Sequence, residues 1–322
     1  MPCKLLFLPP LTDIHRFWVD RLRAELPGLN VVVAEGDSAA DAAIIDADGA
    51  VGTLTPARLA RATRLRWLQS HQAAPPAGYY FPELARHPLV VTNMREIFND
   101  HIGAHVMAYV LAFARGLHEY LPQQARAEWR PRKLDTGVIH LPEATMLVVG
   151  LGGIGAETAR LAKAFGMTVL ATDARRTNVP QGVDELHPAA ALDALLPRAD
   201  FVVLTVPHTP ATEGFMHRER FRRMRRNAVF INIGRGMTTR LGDLAEALQE
   251  GELAGAALDV FETEPLPPDH PLWRMQNVLI TPHTAGYGPY LDERRYAIIR
   301  DNARALLDGG RMRNVVDKTS WF

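Results

Sequence analysis

Cysteine occurs once in this chain of 322 residues, at Cys3. A single thiol excludes a disulfide framework and a four-cysteine metal site. It suits a reducing compartment, so a cytoplasmic protein is expected. Net charge is missing as well: 36 Lys and Arg balance 36 Asp and Glu. No global field therefore draws the chain to nucleic acid or to an anionic membrane. No apolar run reaches the roughly 20 residues of a membrane span. "KLLFLPP" is cut short by proline and reads as a first buried strand rather than a signal peptide. Repeats and low-complexity tracts are absent. His101, His105, His208 and His217 show no HExxH-like or Cys/His ligand spacing, so no catalytic metal is expected.

What is present is an apolar content of 47% with 22% charged residues, the balance of a soluble globular protein. At ~100–200 residues per domain the length predicts two domains. Short apolar runs alternate with helical patterns, which argues for parallel sheets covered by helices on both faces. The first series of strands is "KLLFL", "LNVVVA", "DGAVG", "LRWLQS" and "LVVTN". The stretch "DHIGAHVMAYVLAFARGLHEYL" then reads as one long apolar helix from near Asp100. A second series follows it: "TMLVV", "MTVLATD", "DFVVLTVP", "AVFINIG", "AGAALDV" and "NVLITP". A last helix ends in glycines, and the tail "NVVDKTSWF" is expected to pack back on the first domain. The expected fold is α/β, two Rossmann-like domains with doubly wound parallel sheets and a cleft between them. Residues 1–99 plus 288–322 form a discontinuous outer, substrate domain. Residues 100–287 form the dinucleotide-binding domain.

"GLGGIG" places Gly150, Gly152 and Gly155 between the strand "TMLVV" and the helix "AETARLAKAF". The first glycine permits a tight turn. The second lets backbone approach a pyrophosphate, and the third lets helix and strand pack closely. Asp173 ends the next strand, where a carboxylate can accept from an adenine ribose hydroxyl. Its charge disfavours a 2′-phosphate, while Arg175 and Arg176 follow at once and can offset it. NAD is the expected cofactor, with NADP left open.

Three further stretches line up behind this cradle: "INIGRG" with Arg235, "LDVFETEP" with Asp259 and Glu264, and "ITPHTAG" with His283. Together with "GLGGIG" and "VPHTPATEG" they resemble the D-2-hydroxyacid dehydrogenase family, the NAD(P)-dependent, D-isomer-specific oxidoreductases. The resemblance is specific over about 100–287 and looser before it. It implies a carboxylate-binding arginine, an acid/base histidine and a glutamate paired with it, which fall on Arg235, His283 and Glu264. The chemistry agrees. Reducing a 2-keto acid needs a hydride on the carbonyl carbon and a proton on its oxygen, and His283 can donate that proton. A carboxylate beside it favours the imidazolium. Arg235 offers a planar fork that matches a carboxylate.

The resemblance also implies that Asp259 accepts from the nicotinamide carboxamide; the other reading is an acid capping the strand end. Pro207 would cover the adenosine side. Thr209 would touch the phosphates or only cap the next helix. The backbone of Ile233 and Gly234 would flank the nicotinamide ribose. With Gly153, Ile154, Arg235, His283 and Ala285 these complete the expected cofactor set. His71 and Gln72 lie in a loop, "QSHQAAPPAG", longer than the family's usual one, where backbone amides would meet the substrate carboxylate; a remote surface loop is the alternative. Glu262 reads as a solvated charge.

The chain departs from the family in "HIGAHV", where Gly103 and Ala104 replace an alanine-glutamate pair; a close packing contact at Gly103 is expected. The basic run "RERFRRMRRN" suggests nucleic acid, but Phe221 and Met224 would anchor one helical face and leave the arginines solvated. The resemblance implies a homodimer through the helix 100–120. Glyoxylate and hydroxypyruvate lead as substrates; Glu264 argues against formate, and phosphite stays open. The chain ends soon after its last helix, so the regulatory domain of some phosphoglycerate dehydrogenases is not expected. A nucleotide-sensing, corepressor-like binding protein on the same fold is the alternative from another class.

Overall fold

The structure is a computed structural model that describes residues 2–73, 78–132 and 137–318. The Ala/Pro part of the substrate loop, 74–76, and the last residues of the tail lie outside the described residues. The chain forms two compact units, Met1–Ile97 with Pro289–Phe322, and Phe98–Gly288.

The first unit opens with β1 (Cys3–Phe7), α1 (Asp13–Glu25), β2 (Leu29–Val33), α2 (Asp37–Ala43) and β3 (Gly49–Val51). It continues with α3 (Pro56–Arg61), β4 (Trp67–Gln69), α4 (Pro82–Arg86) and β5 (Val90–Thr92). The strands are all parallel, in the order β2-β1-β3-β4-β5. Their apolar residues supply the core, with Leu5, Leu6, Ala50, Leu68 and Val91 fully buried. In α1, Trp18 and Val19 each lie about one helical turn before Leu22, and all three are buried, which is the spacing that makes one apolar stripe.

The second unit holds α5 (Asn99–Ala114), α6 (Leu117–Ala125), β6 (Thr145–Val149), α7 (Gly153–Ala164), β7 (Thr168–Asp173) and β8 (Glu185–Pro188). After them come α8 (Leu192–Leu195), β9 (Phe201–Leu204), α9 (Arg218–Arg223), β10 (Val229–Asn232), α10 (Leu241–Gln249), β11 (Gly255–Leu258) and β12 (Val278–Ile280). The last helix of the chain, α11 (Leu291–Asp308), belongs to the first unit.

The second sheet has seven parallel strands in the order β12-β11-β10-β9-β6-β7-β8. Its strands alternate between two cores. Leu147 and Val149 point into one cluster with Leu204 and Phe230. Met146 and Val148 point into the other, with Val106 and Phe113 of α5. A sheet buried on both faces needs continuous apolar strands, and this explains runs such as "TMLVV". Strand order reverses at β6, between β7 and β9. The doubly wound topology places a ligand at such a switch point, beyond the carboxyl ends of the strands.

The structure departs from expectation in places. The helix read over 100–121 is two helices, because Gly116 adopts a left-handed φ of 70° that a helix cannot continue through. Strand β8 was not foreseen; it is short, polar and at the sheet edge. The other anticipated strands are all present. Helix α11 ends at Gly309 with φ 72°, and the chain returns to the first sheet: Val315 bridges to Thr92, and Val316 is 4% exposed. The basic run forms α9 with Phe221 and Met224 buried. Its arginines are not simply solvated. Arg218 pairs with Glu246, Glu250 and Glu252, Arg220 with Asp193, Arg222 with Glu219 and Glu252, and Arg225 with Asp200. No helix among the described residues is long and apolar enough to cross a membrane.

Candidate functional site

The candidate residues gather at the carboxyl ends of β6, β7, β9, β10, β11 and β12. At β6 the chain turns through Gly150 at φ 94°, a left-handed conformation that favours glycine. A β-carbon on Gly155 would lie 2.1 Å from the Gly150 carbonyl oxygen, so only glycine lets α7 start this close to its strand. A β-carbon on Gly152 would meet nothing within 4 Å. The loop therefore presents bare backbone to open space, directly before the first turn of α7. That turn, with Gly153, Ile154 and Gly155, supplies N–H groups without intrahelical partners. Thr205, which no motif in the sequence marks, holds the cradle from β9: its hydroxyl donates to the carbonyls of Gly150 at 2.6 Å and Val149 at 3.1 Å. These residues fit a dinucleotide pyrophosphate.

Asp173 is more occupied than its spacing suggested. Its Oδ2 accepts from the Leu151 backbone N–H at 2.7 Å, and Oδ1 accepts from those of Arg175 and Arg176, both at 2.8 Å. Burial alone would raise its carboxyl; the three N–H donors and the Arg175 guanidinium outweigh that and hold it below the usual carboxylate range. Asp173 thus ties the cradle to the turn that carries both arginines. After β9, Pro207 is exposed. Thr209 opens a turn rather than a helix: its N–H donates to the Thr212 hydroxyl at 2.8 Å, which in turn donates to the Pro207 carbonyl at 2.7 Å.

At β10, Asn232 is wholly buried and organises the arginine loop. Its Oδ1 accepts from the Gly234 N–H at 3.0 Å, and its Nδ2 donates to the Thr239 hydroxyl at 3.0 Å and the Arg235 carbonyl at 3.3 Å. Gly236 is required by packing, since a β-carbon there would sit 1.8 Å from the Phe261 carbonyl oxygen. The Arg235 guanidinium donates to the Gly234 carbonyl at 2.6 Å. Burial lowers its basicity, and the charge of Glu264 opposes that shift. A cation held this way is receptive to an anion. Ile233 is buried, with its N–H donating to the Leu204 carbonyl at 3.4 Å.

At β11, Asp259 is 1% exposed. Its Oδ1 accepts from the Thr281 hydroxyl at 2.5 Å and the Thr284 N–H at 2.8 Å; Oδ2 accepts from the Ala285 N–H at 2.9 Å. The reading of a capping acid holds to this extent: the carboxylate secures the loop after β12. Glu262, expected to be a solvated charge, is exposed, and its Oε2 also accepts from the Leu241 N–H at 2.8 Å and so caps α10 from a distance.

Glu264 and His283 meet. His283 Nδ1 lies 2.7 Å from Glu264 Oε2, and Oε1 of the same carboxylate accepts from the Phe261 N–H at 3.0 Å. With Nδ1–H donating to the carboxylate, Nε2 is the nitrogen left for proton exchange. The imidazole is about half exposed, at 50% of its side chain. His283 adopts φ 54°, a left-handed backbone that costs a residue with a β-carbon about 1–2 kcal/mol. The bonds from Asp259 to Thr281, Thr284 and Ala285 hold that conformation from both sides.

In the first unit, His71 packs its ring 4.5 Å from that of His15, with its Nδ1 buried and unpartnered. Burial first, then His15 and Arg295, lower its pKa to about 4. Its side chain is therefore neutral at physiological pH. The Gln72 N–H donates to the Ser70 hydroxyl at 3.1 Å. Beneath them Gln69 is fully buried and accepts from Thr92 at 2.7 Å and from Asn302 of α11 at 3.0 Å.

Known proteins share both the sequence and the fold. Residues 107–285 match the family model described as "D-isomer specific 2-hydroxyacid dehydrogenase, NAD binding domain". A glyoxylate reductase of Korarchaeum cryptofilum is 34% identical over 243 residues, covering 73% of this chain and 71% of its own. A glyoxylate/hydroxypyruvate reductase B of Escherichia fergusonii is 37% identical over 230 residues, 69% of this chain and 68% of its own. Among solved structures, a D-isomer specific 2-hydroxyacid dehydrogenase from Xanthobacter autotrophicus Py2, in complex with NADPH and MES, superposes with a TM-score of 0.84 over 100% of both chains at 30% identity. An NADPH-dependent glyoxylate/hydroxypyruvate reductase from Sinorhizobium meliloti gives a TM-score of 0.81 at 28% identity, over 99% of this chain and 100% of its own. With its glycine cradle and its arginine, glutamate and histidine at the strand ends, the chain belongs to the D-isomer-specific 2-hydroxyacid dehydrogenases, the NAD(P)-dependent oxidoreductases.

Proposed function

We propose that this enzyme reduces small 2-keto acids to D-2-hydroxy acids, with glyoxylate and hydroxypyruvate as the favoured substrates. The observation that carries the proposal is the 2.7 Å pair of His283 and Glu264, on the same strand ends as Arg235 and the cradle. NAD(P)H, when bound, supplies the hydride. The glycine loop and the first turn of α7 hold its pyrophosphate, and Asp173 with Arg175 and Arg176 sets the choice between NADH and NADPH. Arg235 binds the substrate carboxylate through its planar fork. His283 Nε2 gives the proton to the keto oxygen in reduction and removes it in oxidation, while Glu264 stabilises the imidazolium. Pro207, Thr209, Ile233, Gly234, Asp259 and Ala285 belong to the same proposal as cofactor contacts, and His71 and Gln72 as substrate-loop residues. For Gly234, Asp259 and Ala285, part of the hydrogen-bonding capacity is already used within the protein, so each would contact the cofactor through its remaining groups.

The test is oxidation of NADH and of NADPH, side by side, against a panel of glyoxylate, hydroxypyruvate and bulkier 2-keto acids. Turnover confined to the smallest acids is expected. Cofactor binding without turnover of any keto acid would instead favour the nucleotide-sensing alternative, which gains no support from the comparisons.

A homodimer through the α5–α6 region belongs to the same proposal. Its support is the exposed apolar surface of Leu117 and Leu121 at 45% and 58%, with Trp129 at 94%. Gel filtration of the dilute protein as a monomer would refute it. Placement in the cytoplasm is likewise proposed, on the single cysteine.

A further inference from the structure

Helix α5 touches two parts of the second unit with opposite faces. On one, Gly103 lies against α7: a β-carbon there would come within 3.0 Å of Glu157 and 3.1 Å of Leu161. This is a close contact, one in which the Glu157 and Leu161 side chains would have to give slightly for any larger residue. On the other face His105 and Tyr109, one turn apart, both reach Thr281. His105 Nε2 lies 3.1 Å from the Thr281 hydroxyl oxygen, and the Tyr109 hydroxyl lies 2.5 Å from it. The two rings meet edge to face at 4.7 Å.

Proton counting gives this cluster a direction. Thr281 has one hydroxyl hydrogen and two lone pairs. The hydrogen goes to Asp259 Oδ1 at 2.5 Å, since a carboxylate only accepts. The lone pairs are then left to receive the Tyr109 O–H and the His105 Nε2–H. The Leu258 carbonyl, 3.2 Å from the Tyr109 oxygen, is the weaker competitor for the tyrosine hydrogen. Burial lowers the basicity of His105 although Asp259 opposes it, and burial raises the Tyr109 hydroxyl. Both groups therefore act as neutral donors. Every bond in the cluster points toward Asp259, whose remaining capacity holds the N–H groups of Thr284 and Ala285.

We propose that Tyr109 and His105 are positioning residues for the acid/base histidine: through Thr281 and Asp259 they fix the backbone on both sides of His283. Neither touches the reacting atoms. Their effect is on how often the loop holds its left-handed turn with Nε2 correctly aimed. This inference rests on the reading of His283 given above.

The experiment compares Tyr109→Phe, His105→Gln, His105→Leu, Thr281→Ser and Thr281→Val with the wild-type chain. Steady-state kinetics with glyoxylate and NADPH is combined with hydrogen exchange of the segment 281–290. Tyr109→Phe and Thr281→Val should lower kcat about tenfold, the loss of one net hydrogen bond in positioning, with KM and NADPH affinity within about twofold. Exchange in 281–290 should quicken in the same variants. Thr281→Ser keeps the hydroxyl and should restore kcat. His105→Gln can still donate and should exceed His105→Leu. Folded Tyr109→Phe with wild-type kcat and exchange overturns the proposal. So does an equal loss of kcat, substrate affinity and cofactor affinity, which marks general destabilisation. If His283→Ala itself keeps wild-type turnover, the reading of His283 is what has failed; the exchange data alone then decide whether the network holds the loop.

Discussion

Nδ1 of His283 lies 2.7 Å from Oε2 of Glu264, and the second oxygen of that carboxylate is anchored by the Phe261 N–H at 3.0 Å. The glutamate is therefore held by its own loop before it meets the histidine. Its orientation does not depend on the imidazole.

This arrangement predicts different costs for the two partners. His283→Ala removes the proton donor and should lower kcat by about 100- to 10,000-fold, the usual worth of a positioned acid/base. Glu264→Gln keeps shape and the Phe261 bond but removes the charge. Its loss should be smaller than that of His283→Ala, because the proton donor stays in place and only its charged partner is gone. Steady-state rates of both variants check this. A Glu264→Gln enzyme with wild-type kcat would remove the charge pairing from the mechanism.

Arg235 gives the second prediction. Burial lowers its basicity and the charge of Glu264 opposes the shift. A substrate carboxylate would relieve that burial cost through two parallel hydrogen bonds. Arg235→Lys keeps the charge and loses the fork, so KM for glyoxylate should rise about 10- to 100-fold, the worth of a charge-assisted bond. The affinity for NADPH, measured by fluorescence titration, should hardly change. An unchanged KM would place the substrate carboxylate elsewhere.

The strand-end loops were legible because the residues in them follow local patterns. The glycines of the cradle, Arg235 between two glycines and the acid-rich run to Glu264 are each contained in a few residues. The groups that hold them were not. Thr205, Asn232 and Thr281 act through bonds to distant chain or to loop backbone, as in Thr205 to Gly150 or Asn232 to Gly234, and such bonds leave no periodic trace. Glu262 is exposed, as its sequence neighbours suggest, but its cap on Leu241 spans 21 residues. The break at Gly116 was hidden for another reason: apolar spacing continues across it, while only the left-handed φ ends the helix. The sheet itself was easier to read, since strands buried on both faces are nearly continuous apolar runs.

His71 gives a prediction about stability rather than rate. Its folded-state pKa is pushed from 6.5 to about 4, first by burial and then by His15 and Arg295. His15 is itself lowered by burial, against the pull of Asp292, and its Nδ1 accepts from the Thr12 N–H. The unfolded chain thus binds a proton that the folded one refuses. The stability tied to His71 is fully present above pH 6.5 and falls as the pH drops toward 4. From pH 7 to pH 4.5 the loss should be roughly 2 kcal/mol. His71→Phe keeps a ring against His15 and does not titrate, so its denaturant midpoint should fall less over the same interval. Parallel curves for the two proteins would show that His71 carries none of the pH dependence.

The last prediction concerns cofactor choice. Asp173 accepts from the N–H groups of Leu151, Arg175 and Arg176, so it supports the cradle in addition to the ribose contact proposed for it. Asp173→Ala should therefore weaken NADH and NADPH together. The two arginine side chains act differently: they offer a 2′-phosphate the opposite charge, which a bare ribose hydroxyl does not need. Arg175→Ala with Arg176→Ala should weaken NADPH by about tenfold or more, the worth of one or two charge-assisted bonds, and leave NADH nearly unchanged. Titration of each variant with both cofactors separates the effects. If the double arginine variant weakened NADH as much as NADPH, the arginines would be holding the turn rather than reading the phosphate.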